Sequence, residues 1–213
     1  MIITKPFTHQ VYRFTQQIAE LPGQICFMIS GEDMAEAPEN LYRITTWCIE
    51  IARQVARRHP SAKPGIRGIT FHISTKAPEE MRQFLPEIRK IGTVARLNLH
   101  IGDDNEIIGD GMDVVVAIGK SGRDEIASCI RKMAEDGMAP EDVDEKKLES
   151  CLTFRYSPDV VVKTGGDHLT DFLIWQSVYS ELFFSDVNWK YLRKVDLLRV
   201  FRDYQSRIRR FGT

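Results

Sequence analysis

The stretch that most constrains the fold is residues 158–189, PDVVVKTGGDHLTDFLIWQSVYSELFFSDVNW. Pro158 and Asp159 lead into Val160, Val161 and Val162, a β-branched run with the length and composition of a buried strand. Thr164-Gly165-Gly166-Asp167 breaks it. A nearly all-apolar segment follows, read as a helix from Leu169 to Phe184. Strand, glycine turn and helix is the order in which α/β proteins present backbone amides to an anion. It is also the order of any tight strand–helix connection, and the residue types leave both readings open.

The same alternation runs along the whole chain. Val11, Phe14, Ile18 and Leu21 give a short amphipathic helix over 7–20, ended by Pro22-Gly23. Gln24 to Ile29 is a first strand, with Ser30-Gly31-Glu32-Asp33 as its loop. Pro38 opens a helix whose apolar face is Leu41, Ile44, Cys48, Ile51 and Val55, and Pro60 stops it. Strands are predicted at Ile69 to Ser74, Leu97 to Ile101, Val114 to Ile118 and Val160 to Lys163. A helix from Pro78 to Ile91 separates the first two of these. After the turn at Gly119 to Gly122, a helix carries Ile126, Ile130 and Met133 on one face, and a short helix ends near Leu152. The acidic stretch Asp103, Asp104, Glu106, Asp110 and Asp113 reads as a solvated hairpin or turn rather than a cation site. Strands alternating with helices imply one α/β domain over 1–213, a central mostly parallel sheet flanked by helices. Such sheets bind ligands at the carboxyl ends of their strands. The loops after Ile29, Ser74, Ile118 and Lys163 should therefore share one rim.

Composition narrows the function classes. The 213 residues are 43% hydrophobic with a formal net charge of -1, which implies no bulk attraction to nucleic acid or membrane. Cys26, Cys48, Cys129 and Cys151 form no CxxC pair and read as reduced and buried in a cytoplasmic protein. The histidines do not sit at zinc-ligand spacing. The N-terminal residues show no signal peptide and no transmembrane span.

Residues 158–189 resemble the C-terminal signature of the cis-prenyltransferases, the undecaprenyl diphosphate synthase family. Pro158, Asp159, Thr164, Gly166, Leu169, Phe172, Leu173, Trp175, Gln176, Tyr179, Ser180, Glu181, Leu182, Phe184, Asp186 and Trp189 fit its pattern. Gly122-Arg123-Asp124-Glu125-Ile126 matches a further motif upstream, and Arg210-Phe211-Gly212 matches the terminal Arg-x-Gly. The resemblance implies a cis-prenyltransferase fold with an apolar tunnel beside the sheet. It also implies transfer between allylic and isopentenyl diphosphates, with Mg²⁺ at the site.

The departures from the family pattern fall where the diphosphates should bind. In the loop after the first strand Gly31 stays, but Ser30 replaces the metal-binding aspartate and Met34 replaces an arginine. Glu32 and Asp33 add negative charge, with Asp33 a candidate displaced metal ligand. Lys76 stands where the second loop should be acidic. In the signature, Lys163 and His168 replace two arginines, losing the bidentate fork, and Thr170 replaces a phosphate-contacting serine. Glu181 corresponds to a glutamate lying by the metal and the interface.

The resemblance thus implies a degenerate accessory subunit of the Nogo-B-receptor type, without that receptor's membrane anchor. Such a subunit pairs with a homologous catalytic subunit that holds most of the Mg²⁺ site, and donates Arg210 and Gly212 to it. Residues 190–213 are the expected basic helix and tail reaching that partner. The alternative for this segment is a docked amphipathic helix with a solvated basic face. The apolar run after the glycine turn implies a dimer interface through Phe172, Trp175, Tyr179 and Phe183, or else a central core helix. A cytoplasmic location follows, peripheral at the membrane through the lipid product. The competing functions are a homodimeric enzyme active alone and a binding module that keeps only the fold.

Overall fold

The computed structural model describes residues 15–60, 65–102, 104–119, 121–152, 157–165 and 175–207. Seven strands form one sheet: β1 (Gln24–Ser30), β2 (Gly68–Ser74), β3 (Arg96–Ile101), β4 (Asp104–Ile108), β5 (Asp113–Ile118), β6 (Val160–Thr164) and β7 (Glu181–Ser185). Their order is β4-β3-β5-β2-β1-β6-β7, and every pairing is parallel except β3 with β4. The helices are α1 (Gly31–Glu36), α2 (Asn40–Arg58), α3 (Leu85–Arg89), α4 (Gly122–Glu135), α5 (Glu145–Cys151) and α6 (Lys194–Ser206).

The two faces of the sheet are unequal. Ile25, Phe27 and Ile29 of β1, with Ile69, Phe71 and Ile73 of β2, enter the large core with residues of α2 and α6. Phe27 stacks on Phe71, and the buried Trp189 meets Phe71 edge-on. Among the described residues, the opposite face carries a smaller cluster, Cys26, Met28, Val115, Ala117 and Val161, with Leu182 packed against it. A third cluster joins α4 to α5 through Cys129, Met133, Leu148 and Leu152, with Trp175 packed against it. All five predicted strands and the α2 face form as the period-2 and period-3.6 patterns require. Ile18 and Leu21 are buried, while Val11 and Phe14 lie outside the described residues.

The structure corrects several expectations. Ser30 to Asp33 is not an open loop. Ser30 caps α1, and an S-x-x-D capping box closes its first turn. Pro78 to Thr93 is mostly 3-10 helix around the short α3, because prolines at 78 and 86 interrupt the α-helical ladder. The acidic stretch is the expected hairpin, and it adds a strand not foreseen, β4, on the sheet's outer edge. On α4 the buried row is Glu125, Cys129 and Met133, with Ile130 52% exposed. The expected helix does not extend to Phe184, and its residues 169–174 lie outside the described residues. Residues 175–179 are turns, and Glu181–Ser185 is a strand, since an aromatic-rich apolar run suits either element and pairing with β6 decides it. Cys129 and Cys151 are not both reduced: packing of α4 on α5 brings their Cα atoms to 5.7 Å and they form a disulfide. Cys26 and Cys48 are free and buried.

Candidate functional site

The parallel register brings the expected loops to one rim. Ser30 stands level with Ser74, Ile73 with Ile118, and Met28 with Lys163. Gly119 donates its N–H back to Ile73, tying the loop after β5 to β2. Gly31 approaches the β2 loop so closely that a Cβ there would lie 3.1 Å from Thr75. Gly165, with φ +67°, turns the chain out of β6 in a conformation L side chains rarely adopt.

Each expected site residue can be placed where it is described. The Ser30 hydroxyl accepts from the Asp33 N–H at 3.0 Å and donates to Asp33 Oδ2 at 2.9 Å. That same carboxylate oxygen accepts from the Ser30 N–H at 2.9 Å. Asp33 is therefore turned back on its own helix cap. Met34 is fully buried in the large core, so the position aligned with an arginine contributes packing and no charge. Glu32 and Lys76 are exposed. Lys163 is half-buried and donates through Nζ to the Thr164 carbonyl at 3.0 Å. The Thr164 hydroxyl is buried and has no hydrogen-bond partner among the described residues. His168, Thr170, Phe172, Arg210 and Gly212 lie outside the described residues.

Glu181 does not join this rim within one chain. It opens β7 opposite Val160, at the amino end of the parallel strands, and its carboxylate takes Arg207 at 2.9 Å. The hydrogen bond that Arg207 donates to Glu181 raises the Arg207 pKa further, so the guanidinium stays charged. Of the expected interface residues, Trp175 is half-buried against the α4–α5 cluster, Tyr179 is 66% exposed, and Phe183 is half-buried against the large core. A cleft of about 340 Å³ opens between α5 and the 175–176 turn, lined by Lys146, Ser157, Trp175 and Gln176 among others. Ser157 precedes β6, so this cleft belongs to the far end of the sheet.

Among the described residues, the donor set at the rim does not fit the Mg²⁺ that the family resemblance implies. A hard dication prefers carboxylate oxygens in near-octahedral array. Ser30 offers a neutral hydroxyl, and the Asp33 oxygen already accepts two local hydrogen bonds. Among the described residues, no three His, Cys, Asp or Glu side chains are grouped so as to hold a metal ion.

A family profile described as "Putative undecaprenyl diphosphate synthase" matches residues 79–212. The chain belongs to this prenyltransferase family. A tritrans,polycis-undecaprenyl-diphosphate synthase (geranylgeranyl-diphosphate specific) of Thermoplasma acidophilum is 28% identical over 207 residues, covering 85% of this chain and 80% of that protein. An isoprenyl transferase of Thermus thermophilus is 37% identical over 200 residues, covering 87% of this chain and 70% of that protein. The crystal structure of a probable undecaprenyl diphosphate synthase from Campylobacter jejuni superposes with a TM-score of 0.67 at 20% identity, covering 90% of this chain and 99% of that one. The expected α/β fold with its mostly parallel sheet is thereby borne out. No helix among the described residues is long and apolar enough to cross a membrane.

Sequence reasoning missed one feature of this site, the closure of the first loop by Ser30 and Asp33. Its signal was present as Ser-x-x-Asp before a helix. Position 30 lacks the carboxylate of the family pattern and carries a helix cap in its place.

Proposed function

We propose that this chain is the non-catalytic or weakly catalytic subunit of a heteromeric cis-prenyltransferase. The complex would make polyprenyl diphosphate from allylic and isopentenyl diphosphates. That reaction breaks the allylic C–O bond with loss of diphosphate. It then joins the allylic carbon to the isopentenyl double bond and releases a proton. The departing diphosphate needs concentrated positive charge or metal at the rim. The observation that carries the proposal is the capping box at Ser30 and Asp33, which spends the rim's nearest carboxylate on helix geometry. Lys163, with its Nζ on a backbone carbonyl, supplies one charge without a fork. In the proposed complex the partner holds the Mg²⁺ and the allylic diphosphate. This chain contributes Arg210 and Gly212, an arginine beside a glycine that lets backbone approach an isopentenyl diphosphate.

A second reading, a homodimeric enzyme active alone, is favoured by the synthase and transferase names of its relatives. Purified chain, incubated with both diphosphates and Mg²⁺, separates the two. Accessory function predicts product only when a homologous catalytic subunit is added. In that complex Arg210→Ala should lower turnover about 30- to 1000-fold while leaving assembly intact. Turnover by the isolated chain at ordinary enzyme rates would refute the accessory reading.

A further inference from the structure

The layer of helices over the large core is net basic although the whole chain is near neutral, and this stands apart from the rim and from any prenyl-transfer reading. Helix α2 holds four arginines against one glutamate, and residues 190–207 hold six Lys or Arg against two Asp. The two segments lie side by side. Asn40 donates to the Trp189 carbonyl at 2.7 Å, and Lys194 pairs with Glu50 at 2.5 Å. Arg43 donates to Asn40 at 2.8 Å, which places it next to the turn that carries Lys190 and Tyr191.

Aromatic rings are set among these cations. The Arg43 guanidinium lies 5.0 Å from the Trp47 ring centre, and the Lys190 ammonium 5.9 Å from that of Tyr191. Trp47 is half-buried and Tyr191 is 65% exposed, although Tyr191 directly follows the core residue Trp189 by only two positions. The acids here do not cancel the charge. Glu50 pairs with Lys194, the buried Asp196 is shared by Arg193 and Arg199, and Arg207 is held by both Asp203 and Glu181.

We propose that this face, centred on Arg43, Trp47, Lys190 and Tyr191, docks on an anionic lipid surface. Cations gain from the negative potential of such a surface within a Debye length. Tryptophan and tyrosine prefer the boundary between headgroups and acyl chains, with one end apolar and one end wet. A nucleic acid would also meet cations and rings, but base stacking takes an open ring face, and the Arg43 guanidinium already lies over the half-buried Trp47 ring.

The test is co-sedimentation of the full chain with vesicles of phosphatidylcholine containing about a third phosphatidylserine, against vesicles of phosphatidylcholine alone. The proposal requires binding to the anionic vesicles, weakened by salt. It also requires a loss of about tenfold or more in Lys190→Glu/Tyr191→Ser, since each charge near such a surface is worth about fivefold. A second variant, Arg53→Glu, alters an exposed position on α2 away from Trp189 and should weaken binding severalfold. Thermal unfolding of each variant shows that it is folded. Equal binding to both vesicle types, no binding to either, unaltered binding by both folded variants, or tighter binding to single-stranded RNA than to anionic vesicles would overturn the proposal.

Discussion

Replacing Asp33 with alanine tests whether this carboxylate is a helix cap or a metal ligand. The substitution removes two hydrogen bonds of 2.9 Å, from the Ser30 N–H and the Ser30 hydroxyl. Both are part-buried, so water repairs them incompletely. A typical hydrogen bond contributes about 0.5–1.5 kcal/mol, and a lost cap costs about 1 kcal/mol. The expected loss is therefore about 1–2 kcal/mol, which in a domain of this size lowers Tm by about 2–8 °C. Ser30→Ala removes the other half of the same box and should cost a similar amount. The double variant should cost clearly less than the two singles together, because both break one unit. The assay is thermal unfolding of the four proteins with and without millimolar Mg²⁺. A cap predicts this non-additivity and the same response to Mg²⁺ in all four. If Asp33→Ala left Tm unchanged, or abolished a Mg²⁺-dependent stabilisation that Ser30→Ala retained, the capping argument would be wrong.

The disulfide and the buried thiols make two further predictions. Cys129→Ser opens a loop with a sequence separation of 22 residues, and should cost about 3 kcal/mol by loop-closure entropy. The matching observation is a reductant-induced fall in Tm for the natural chain and none for the variant. Burial pushes the Cys26 thiol up to about 12 and Cys48 higher still, so neither yields thiolate near neutral pH. Iodoacetamide should label neither in the folded chain at pH 8 and both after unfolding, as mass spectrometry would show. Labelling of either in the folded state would contradict the packing.

Much of the fold was legible because it rests on local rules. The strands β1, β2, β5 and β6 are runs of apolar residues bounded by turns, and α2 repeats Leu41, Ile44, Cys48, Ile51 and Val55 at helical spacing. What was misread depends on partners distant in sequence. Glu181 to Ser185 continues an apolar pattern, and only the exposed edge of β6 makes it a strand. Cys129 and Cys151 sit on separate helices whose approach no residue type announces. At the site, the common rim followed from topology alone. The state of Asp33 did not, since an aspartate two residues past Gly31 serves equally as cap or ligand until its hydrogen bonds are seen.

The inequality of the sheet's two faces also orients it. Along β1, bulky Ile25, Phe27 and Ile29 alternate with the slimmer Cys26 and Met28. The central strand β2 sets Ile69, Phe71 and Ile73 against the buried His72, and β5 sets Val116 and Ile118 against Ala117. Inverting any one of these strands, or slipping it by one residue, would push rings and branched chains into the shallow side and leave voids under α2. Side-chain bulk thus acts as a key that admits each strand one way up. The chain could lose its charged groups at the rim without losing the means to find its own fold.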